Sequence, residues 1–238
     1  MKTRLDTTVY KRGLTTTRSQ AENYIKLGLV LVNKKPVKKP GFLVSSEDTV
    51  ELEGDMYVSR AALKLASVAE IFELDFRDKT VLDVGSSTGG FTDYALQHGA
   101  LKVIAVDVGT NQLHPSLRSN IHIELHEKTD IRDFQTTEKI DIIVADVSFI
   151  SLTKLLPHLR TLADKKTQFV MMCKPQFEAG RDQVNKGVLK NSALRRQVLK
   201  DFELWLQHNA YIILKKSDSQ VAGSKGNVER FYLLKTAK

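Results

Sequence analysis

Charged residues stand at the ends of three apolar segments in the second half of this chain. Asp146 and Lys174 each close such a segment, and Glu229 opens the last one. The carboxyl ends of parallel strands lie along one edge of a sheet, where ligands bind. We therefore expect Asp146 and Lys174 to face a ligand. An ion pair with a purely structural role is the alternative.

A glycine-rich turn lies upstream of these residues. Residues 80–95 are typical of a buried strand, a turn and the start of a helix. Gly85, Gly89 and Gly90 can take positive φ and let a ligand approach the backbone, and Asp83 places a carboxylate at the end of the strand. The spacing Gly-x-x-x-Gly-Gly differs from the dinucleotide fingerprint Gly-x-Gly-x-x-Gly. The turn predicts a nucleotide-like ligand, with an ordinary turn of an α/β domain as the alternative.

Asp107 ends the next apolar segment, at a position suited to the ribose diol of NAD or of S-adenosylmethionine. The chain lacks a pyrophosphate cradle, and its loop 83–91 resembles the first motif of S-adenosylmethionine-dependent methyltransferases. S-adenosylmethionine is therefore the expected cofactor. The expected binding residues are Asp83, Gly85, Ser86, Ser87, Thr88, Gly89, Gly90, Phe91, Asp107, Val108 and Asp130. Asp130 is expected near the adenine, and a solvated turn aspartate is the alternative.

Positive charge is concentrated near the N-terminus. The chain of 238 residues has a formal net charge of +8, and residues 1–50 hold ten Lys or Arg against four Asp or Glu. A short basic segment is typical of a domain that binds a polyanion through salt-dependent phosphate contacts. A solvated basic surface is the alternative.

The same segment predicts two short helices and several small strands joined by Asn, Gly and Pro turns. With Arg-Gly-Leu, Gly-x-Val and Val-Asn-x-x-x-Val-x-Lys-Pro in order, residues 2–53 resemble the RNA-binding S4 domain. That resemblance implies that basic side chains contact structured RNA. The expected RNA-binding residues are Arg4, Arg12, Arg18, Lys26 and Lys34. Arg18 is the foremost of them, because a planar guanidinium can hold a phosphate with two bonds.

Composition narrows the class of protein. Cys173 is the single cysteine, so no internal disulfide can form, and the sequence shows neither a signal peptide nor an apolar run near eighteen residues. The six histidines lack the spacing of metal ligands. We expect a cytoplasmic monomer without a metal site.

Over nearly its whole length the chain resembles the TlyA (hemolysin A) family, which joins an S4 domain to an FtsJ-like methyltransferase domain. The resemblance rests on segments 57–65, 83–93, 106–113, 146–151, 174–178 and 226–229. It implies an α/β fold in which residues 60–238 form a Rossmann-like class I methyltransferase domain with a seven-stranded, mostly parallel sheet. A small α+β S4-like domain at 1–53 and a linker at 54–59 precede it.

The family resemblance also implies a Lys-Asp-Lys-Glu tetrad, which falls on Lys64, Asp146, Lys174 and Glu229. It implies methyl transfer to the ribose 2'-hydroxyl of cytidine in 16S or 23S rRNA, within ribosomal subunits. Ser59 is predicted to cap the helix that carries Lys64 and runs to about residue 74. An ordinary surface lysine is the alternative for Lys64.

Proton removal is the step that such a tetrad must serve. A ribose hydroxyl is a weak nucleophile that loses its proton as it attacks the methyl carbon. A lysine amine is protonated at neutral pH, but a neighbouring cation and partial burial favour its neutral form. Lys174 beside Lys64 can therefore act as the base, with Asp146 and Glu229 orienting the amines.

Other classes of function fit the sequence less well. A non-enzymatic RNA-binding or ribosome-assembly factor would be expected to lack a tetrad member, and all four are present. A membrane-lysing protein would need a long apolar or amphipathic span. An NAD oxidoreductase would need a hydride-transfer site, which nothing in the chain resembles. The basic loop 181–190 is expected either along the RNA path or as a surface loop.

Overall fold

The computed structural model describes residues 2–15, 17–53, 56–179, 189, 191–221 and 226–237. We call residues 2–53 the N-terminal part. In it two helices pack beside a three-stranded antiparallel sheet with β2 in the centre and beside a pair of short strands, β1 and β4. Its elements are β1 (Thr3–Arg4), α1 (Leu5–Lys11), α2 (Arg18–Lys26), β2 (Val30–Val32), β3 (Lys35–Pro36), β4 (Leu43–Val44) and β5 (Val50–Leu52).

Local sequence explains these elements. Thr17 caps α2, because its side chain accepts a hydrogen bond from Gln20 N at 3.1 Å. Asn33 and Lys34 take positive φ in the two-residue turn between β2 and β3, a turn type that suits the twist of a hairpin. The apolar faces of α1, α2 and the strands close over one small core.

Residues 56–237, the C-terminal part, contain the large sheet and its helices. The elements are α3 (Arg60–Phe72), β6 (Thr80–Val84), α4 (Gly90–Gln97), β7 (Lys102–Val106), β8 (Ile123–His126), β9 (Ile140–Ala145), α5 (Leu156–Thr161), β10 (Ala163–Cys173), α6 (Pro175–Glu178), α7 (Ser192–His208), β11 (Tyr211–Asp218) and β12 (Arg230–Thr236). Ser59 caps α3 as predicted. The helix ends two residues earlier than expected, because Glu73 takes a left-handed conformation with φ 54°.

The seven strands have the order β11-β12-β10-β9-β6-β7-β8. Strands β10, β9, β6, β7 and β8 are parallel, whereas β12 is antiparallel to both of its neighbours. Helices α5 and α7 cover one face, and α3 and α4 cover the other, so both faces are buried under apolar side chains. The predicted seven-stranded, mostly parallel sheet is confirmed.

The topology brings the ends of several strands to one edge of the sheet. Gly85 follows β6, Asp107 follows β7, Asp146 follows β9 and Lys174 follows β10. Because β12 runs in the opposite direction, Glu229, which precedes it, lies at the same edge. No helix in the described ranges is both long and apolar enough to cross a bilayer.

Candidate active site

The turn between β6 and α4 forms the floor of the site. Gly85 has φ 78°, which only glycine adopts without strain, and its N–H donates to Val106 O at 2.9 Å. A Cβ on Gly85 would lie 3.0 Å from Asp146 O. The turn therefore sits tightly against the ends of the two neighbouring strands.

Gly90 is required for a different reason from the one the sequence indicated. It is the first residue of α4, and its φ is not among the positive values. A Cβ there would lie 2.3 Å from Ser59 Oγ and 2.7 Å from Ala61 Cβ. The absent side chain thus lets α4 pack against the start of α3, which is a packing role rather than a means of admitting a ligand.

Two adjoining cavities open at this edge of the sheet, with volumes of about 380 Å³ and about 150 Å³. Both are lined by Gly85, Ser87, Asp146 and Ser148. Of the residues predicted to bind the cofactor, the larger cavity is lined by Gly85, Ser87, Asp107, Val108 and Asp130, and the smaller one by Asp83, Gly85, Ser86, Ser87, Thr88 and Phe91. Gly89 and Gly90 are among the lining residues of neither cavity.

Carboxylates are held in place around the larger cavity. Asp107 accepts backbone hydrogen bonds from Ser87 N at 2.8 Å and from Gly109 N at 2.6 Å, which fix its two oxygens. Asp130 accepts two bonds from the guanidinium of Arg132, and that contact lowers the pKa of Asp130 to about 2. Both acids are therefore oriented before any ligand arrives.

Unpartnered polar atoms line the smaller cavity. Asp83 is fully buried; its Oδ2 accepts from Thr92 Oγ1 at 2.6 Å, but its Oδ1 and the Oγ of Ser86 have no hydrogen-bond partner among the described residues. Burial raises the pKa of Asp83 to about 7. A ligand that carries a cationic donor would satisfy these oxygens and keep Asp83 ionised.

Lys174 forms an ion pair with Asp146 beside the smaller cavity. Its Nζ lies 2.7 Å from Asp146 Oδ1 and donates to Ser148 Oγ at 2.7 Å. The two charged side chains are only 11% and 18% exposed. Phe177 places its ring 5.9 Å from the same amine. Lys174 is thus fixed at the cavity wall.

A second ion pair lies beside the first. Lys64 Nζ on α3 donates to Glu229 Oε1 at 3.0 Å, and these side chains are 13% and 4% exposed. Lys174 follows Cys173, Glu229 precedes Arg230, and Cys173 pairs with Arg230 across the sheet. The four residues of the predicted tetrad therefore form two neighbouring ion pairs. Within the described ranges, Lys64 and Glu229 line neither of the two cavities.

Two residues that the sequence analysis did not single out belong to this site. Ser148 contacts Lys174 and lines both cavities, and its sequence signal is its place in segment 146–151, two residues after Asp146. Phe149 lines the larger cavity with φ 66° and a side chain 91% exposed. Its ring centroid lies 5.2 Å from that of Phe177, the ring that lies near the amine of Lys174.

The predicted RNA-binding residues are distributed over the N-terminal part. Arg4 and Arg18 both donate to the carboxylate of Asp6, which is fully buried, at 2.8 and 3.0 Å for the closest contacts. Arg12 donates to Asp48 O, while Lys26 and Lys34 are exposed. Hydrogen bonds from Arg4, with the contribution of Arg18, lower the pKa of Asp6. The structure thus brings Arg4 and Arg18, two of the five predicted residues, together on one carboxylate.

Most of the loop 181–190, which was expected along the RNA path or as a surface loop, lies outside the described residues.

Comparison with known proteins decides the family. The FtsJ-like methyltransferase family model matches residues 57–236, and the S4 domain model matches residues 3–50. The chain belongs to the FtsJ-like methyltransferase family. As an FtsJ-like methyltransferase with an N-terminal S4 domain, it has the domain pair that its motifs predicted.

Relatives of this FtsJ-like methyltransferase cover most of the chain. "23S rRNA (cytidine-2'-O)-methyltransferase TlyA" of Campylobacter jejuni is 44% identical over 77% of this chain and 72% of that protein. "Hemolysin A" of Brachyspira hyodysenteriae is 38% identical over 95% and 97%. The solved structure "Putative hemolysin from Streptococcus thermophilus" covers 100% of this chain and 89% of that one, with 37% identity and a TM-score of 0.74. The predicted TlyA (hemolysin A) family is confirmed.

Proposed function

We propose that this protein is an S-adenosylmethionine-dependent ribose 2'-O-methyltransferase that acts on cytidine in rRNA. The observation that carries the proposal is the partly buried ion pair of Lys174 and Asp146 at the wall of the smaller cavity. Support comes from the relatives named rRNA (cytidine-2'-O)-methyltransferase in Campylobacter jejuni and Mycobacterium tuberculosis. We further propose domains at 1–53 and 60–238 joined by 54–59, and action in the cytoplasm on ribosomal subunits.

The residues around the two cavities suit this cofactor. Asp107 has lone pairs left for the two ribose hydroxyls, and Asp130 lies in the same cavity for the adenine. The unpartnered oxygens of Asp83 and Ser86 suit the cationic amino group of the methionine end. When bound, the cofactor supplies an electrophilic methyl group on a sulfonium.

Proton removal from the ribose hydroxyl is assigned to Lys174 in its neutral amine form, so its ammonium must first release one proton to solvent. Its Nζ contacts Asp146 Oδ1 and donates to Ser148 Oγ, which limits the orientations in which the amine meets the hydroxyl. A positioned base of this kind contributes about 10²- to 10⁴-fold to a rate. In the proposal Lys64 and Glu229 carry no proton to the substrate; they hold the neighbouring edge of the sheet in place.

Replacement of Lys174 tests the proposed function. We expect K174A to abolish methylation of rRNA ribose, seen by mass spectrometry of nucleosides from treated ribosomal subunits, while S-adenosylmethionine still raises the melting temperature. Lys166→Ala is the matched control, because Lys166 lies on the same strand β10 but is exposed. Methylation by K174A at the wild-type rate would contradict the role of Lys174. A wild-type protein that methylates no ribose in either subunit would contradict the function itself.

A further inference from the structure

The apolar core of the S4 domain contains side chains from the methyltransferase domain. Leu63 of α3 and Val221, which follows β11, are each 1% exposed and belong to the cluster formed by the S4 helices and strands. The S4 residues of this cluster are Leu5, Val9, Ala21, Tyr24, Ile25, Val30, Val32, Val44 and Val50. The S4 domain is therefore packed onto the methyltransferase domain through a shared core.

Leu63 directly precedes Lys64 on α3. Lys64 Nζ reaches Glu229 Oε1 at 3.0 Å, and one turn further on, Ser67 Oγ donates to Lys64 O at 2.6 Å. The same hydroxyl accepts a hydrogen bond from Gln220 N at 3.4 Å. The position of Lys64 thus depends on how Leu63 seats in the S4 core and on the segment that precedes Val221.

Val221 is connected to the other member of the pair. Ser219 N donates to Glu229 O at 2.9 Å, and Ser219 Oγ donates to Val221 O at 2.8 Å. Ser219 is itself buried. Residues 219–221 therefore link the S4 core to the backbone of Glu229. Lys64 is thus next in the chain to a residue of this core, Leu63. Glu229 is bonded through its backbone to Ser219, which is in turn bonded to the core residue Val221.

We propose that the S4 domain positions the catalytic site as well as anchoring RNA, with Leu63 and Val221 as the positioning residues. This inference rests on the proposed function. Cores are packed as densely as organic crystals, so a lost side chain shifts what is attached to it. The pair of Lys64 and Glu229 lies next to Lys174 in the register of β10 and β12. A displacement near 1 Å at such a site can lower a rate by about 10²-fold.

The test compares two valines of one core. Val221→Ala and Val30→Ala each remove two methyl groups from side chains that are 1% and 0% exposed. We expect V221A to lower kcat for rRNA methylation by about tenfold to a hundredfold, with KM for ribosomal subunits and for S-adenosylmethionine unchanged. V30A should leave kcat within about twofold of wild type, although it destabilises the same core. Val221→Ile should keep kcat close to the wild-type value.

Ser67→Ala provides a second route that leaves the volume of the core intact. It removes the bonds to Lys64 O and from Gln220 N, and we expect it to lower kcat without changing either KM. Provided that the wild-type protein methylates rRNA, two results would overturn the inference. One is an equal effect of V221A and V30A on kcat, and the other is a wild-type kcat in both V221A and S67A. Absence of methylation by the wild-type protein would instead overturn the proposed function, and the inference with it.

Discussion

Asp83 is a residue of the site whose ionisation the fold alters. Burial raises its pKa to about 7, whereas an aspartate in the unfolded chain has a pKa near 3.8. Well below pH 3.8 the carboxyl is protonated in both states. As the pH rises from 4 to 7, the unfolded chain releases this proton first, so the folded state loses the stability that the group contributed. The cofactor-free protein retains the neutral form of Asp83 at a cost that grows with pH.

Asp83→Asn should remove this pH dependence. Between pH 5 and pH 8 the free energy of unfolding of the wild-type protein should fall relative to that of D83N by up to roughly 3 kcal/mol, because Asn does not titrate. Urea denaturation without cofactor at the two pH values measures the difference. Parallel stability curves for the two proteins would show that Asp83 is ionised normally. S-adenosylmethionine should reduce the difference, since its amino group favours the charged carboxylate.

At the scale of elements, the contact between α3 and α4 connects the glycine turn between β6 and α4 to the rest of the site. Val58 N donates to Asp93 Oδ2 at 2.8 Å, so the segment that enters α3 is also bonded to α4. Gly90 lets the two helices approach, with Ser59 and Ala61 filling the space that its side chain would need. The glycine turn is therefore held by helix packing on one side and by the strands on the other.

Gly90→Ala should force these helices apart. A Cβ 2.3 Å from Ser59 Oγ and 2.9 Å from Ala62 N cannot be accommodated by a side-chain rotation alone. We expect a loss of about 2 kcal/mol in the free energy of unfolding, measured in urea, together with weaker binding of S-adenosylmethionine. Gly13→Ala is the control, because a Cβ there meets nothing within 4 Å at φ 72°. It should cost about 1 kcal/mol and leave cofactor binding unchanged. Wild-type stability in G90A would contradict the packing role of Gly90.

At the scale of the whole molecule, charge and chemistry are divided between the two domains. Residues 1–50 hold most of the surplus positive charge, whereas both lysine–carboxylate pairs of the site lie in the methyltransferase domain. Arg4 and Arg18 are brought together by the buried carboxylate of Asp6, which therefore determines how their guanidinium groups face the surface. Substitutions at Asp6 should therefore change the affinity for RNA and leave the affinity for S-adenosylmethionine unchanged.

Replacement of Asp6 by Asn distinguishes the effect of its negative charge on RNA binding from its effect on the positions of Arg4 and Arg18. The change removes a negative charge, which by electrostatics alone would strengthen RNA binding. We expect the opposite, a loss of about tenfold in affinity for ribosomal subunits, because the two guanidinium groups lose their common partner. Glu22→Gln is the matched control: it makes the same charge change next to Arg18, at 3.8 Å, without holding the pair of arginines. Tighter binding by both variants would show that Asp6 acts only through its charge.

Local patterns predicted much of this protein. Apolar segments separated by glycine turns indicated the strands, and polar residues at the ends of these segments indicated an edge of the sheet that binds a ligand. Both patterns were visible because they depend only on residues close together in the sequence. Ser59 was recognisable as a helix cap for the same reason. The motifs also predicted the family, which is confirmed, whereas the tetrad role that the resemblance implies for four residues stays a prediction.

Only the tertiary structure decided which groups meet. Lys64 pairs with Glu229 across 165 positions, whereas Lys174 pairs with Asp146, and no spacing in the chain distinguishes these pairs from the reverse arrangement. The place of Leu63 and Val221 in the S4 core likewise depends on packing between domains. Helical and strand periods report which side of an element is apolar. These periods do not show which distant part of the chain packs on that apolar side, because the packing depends on how the surfaces of the folded elements fit together.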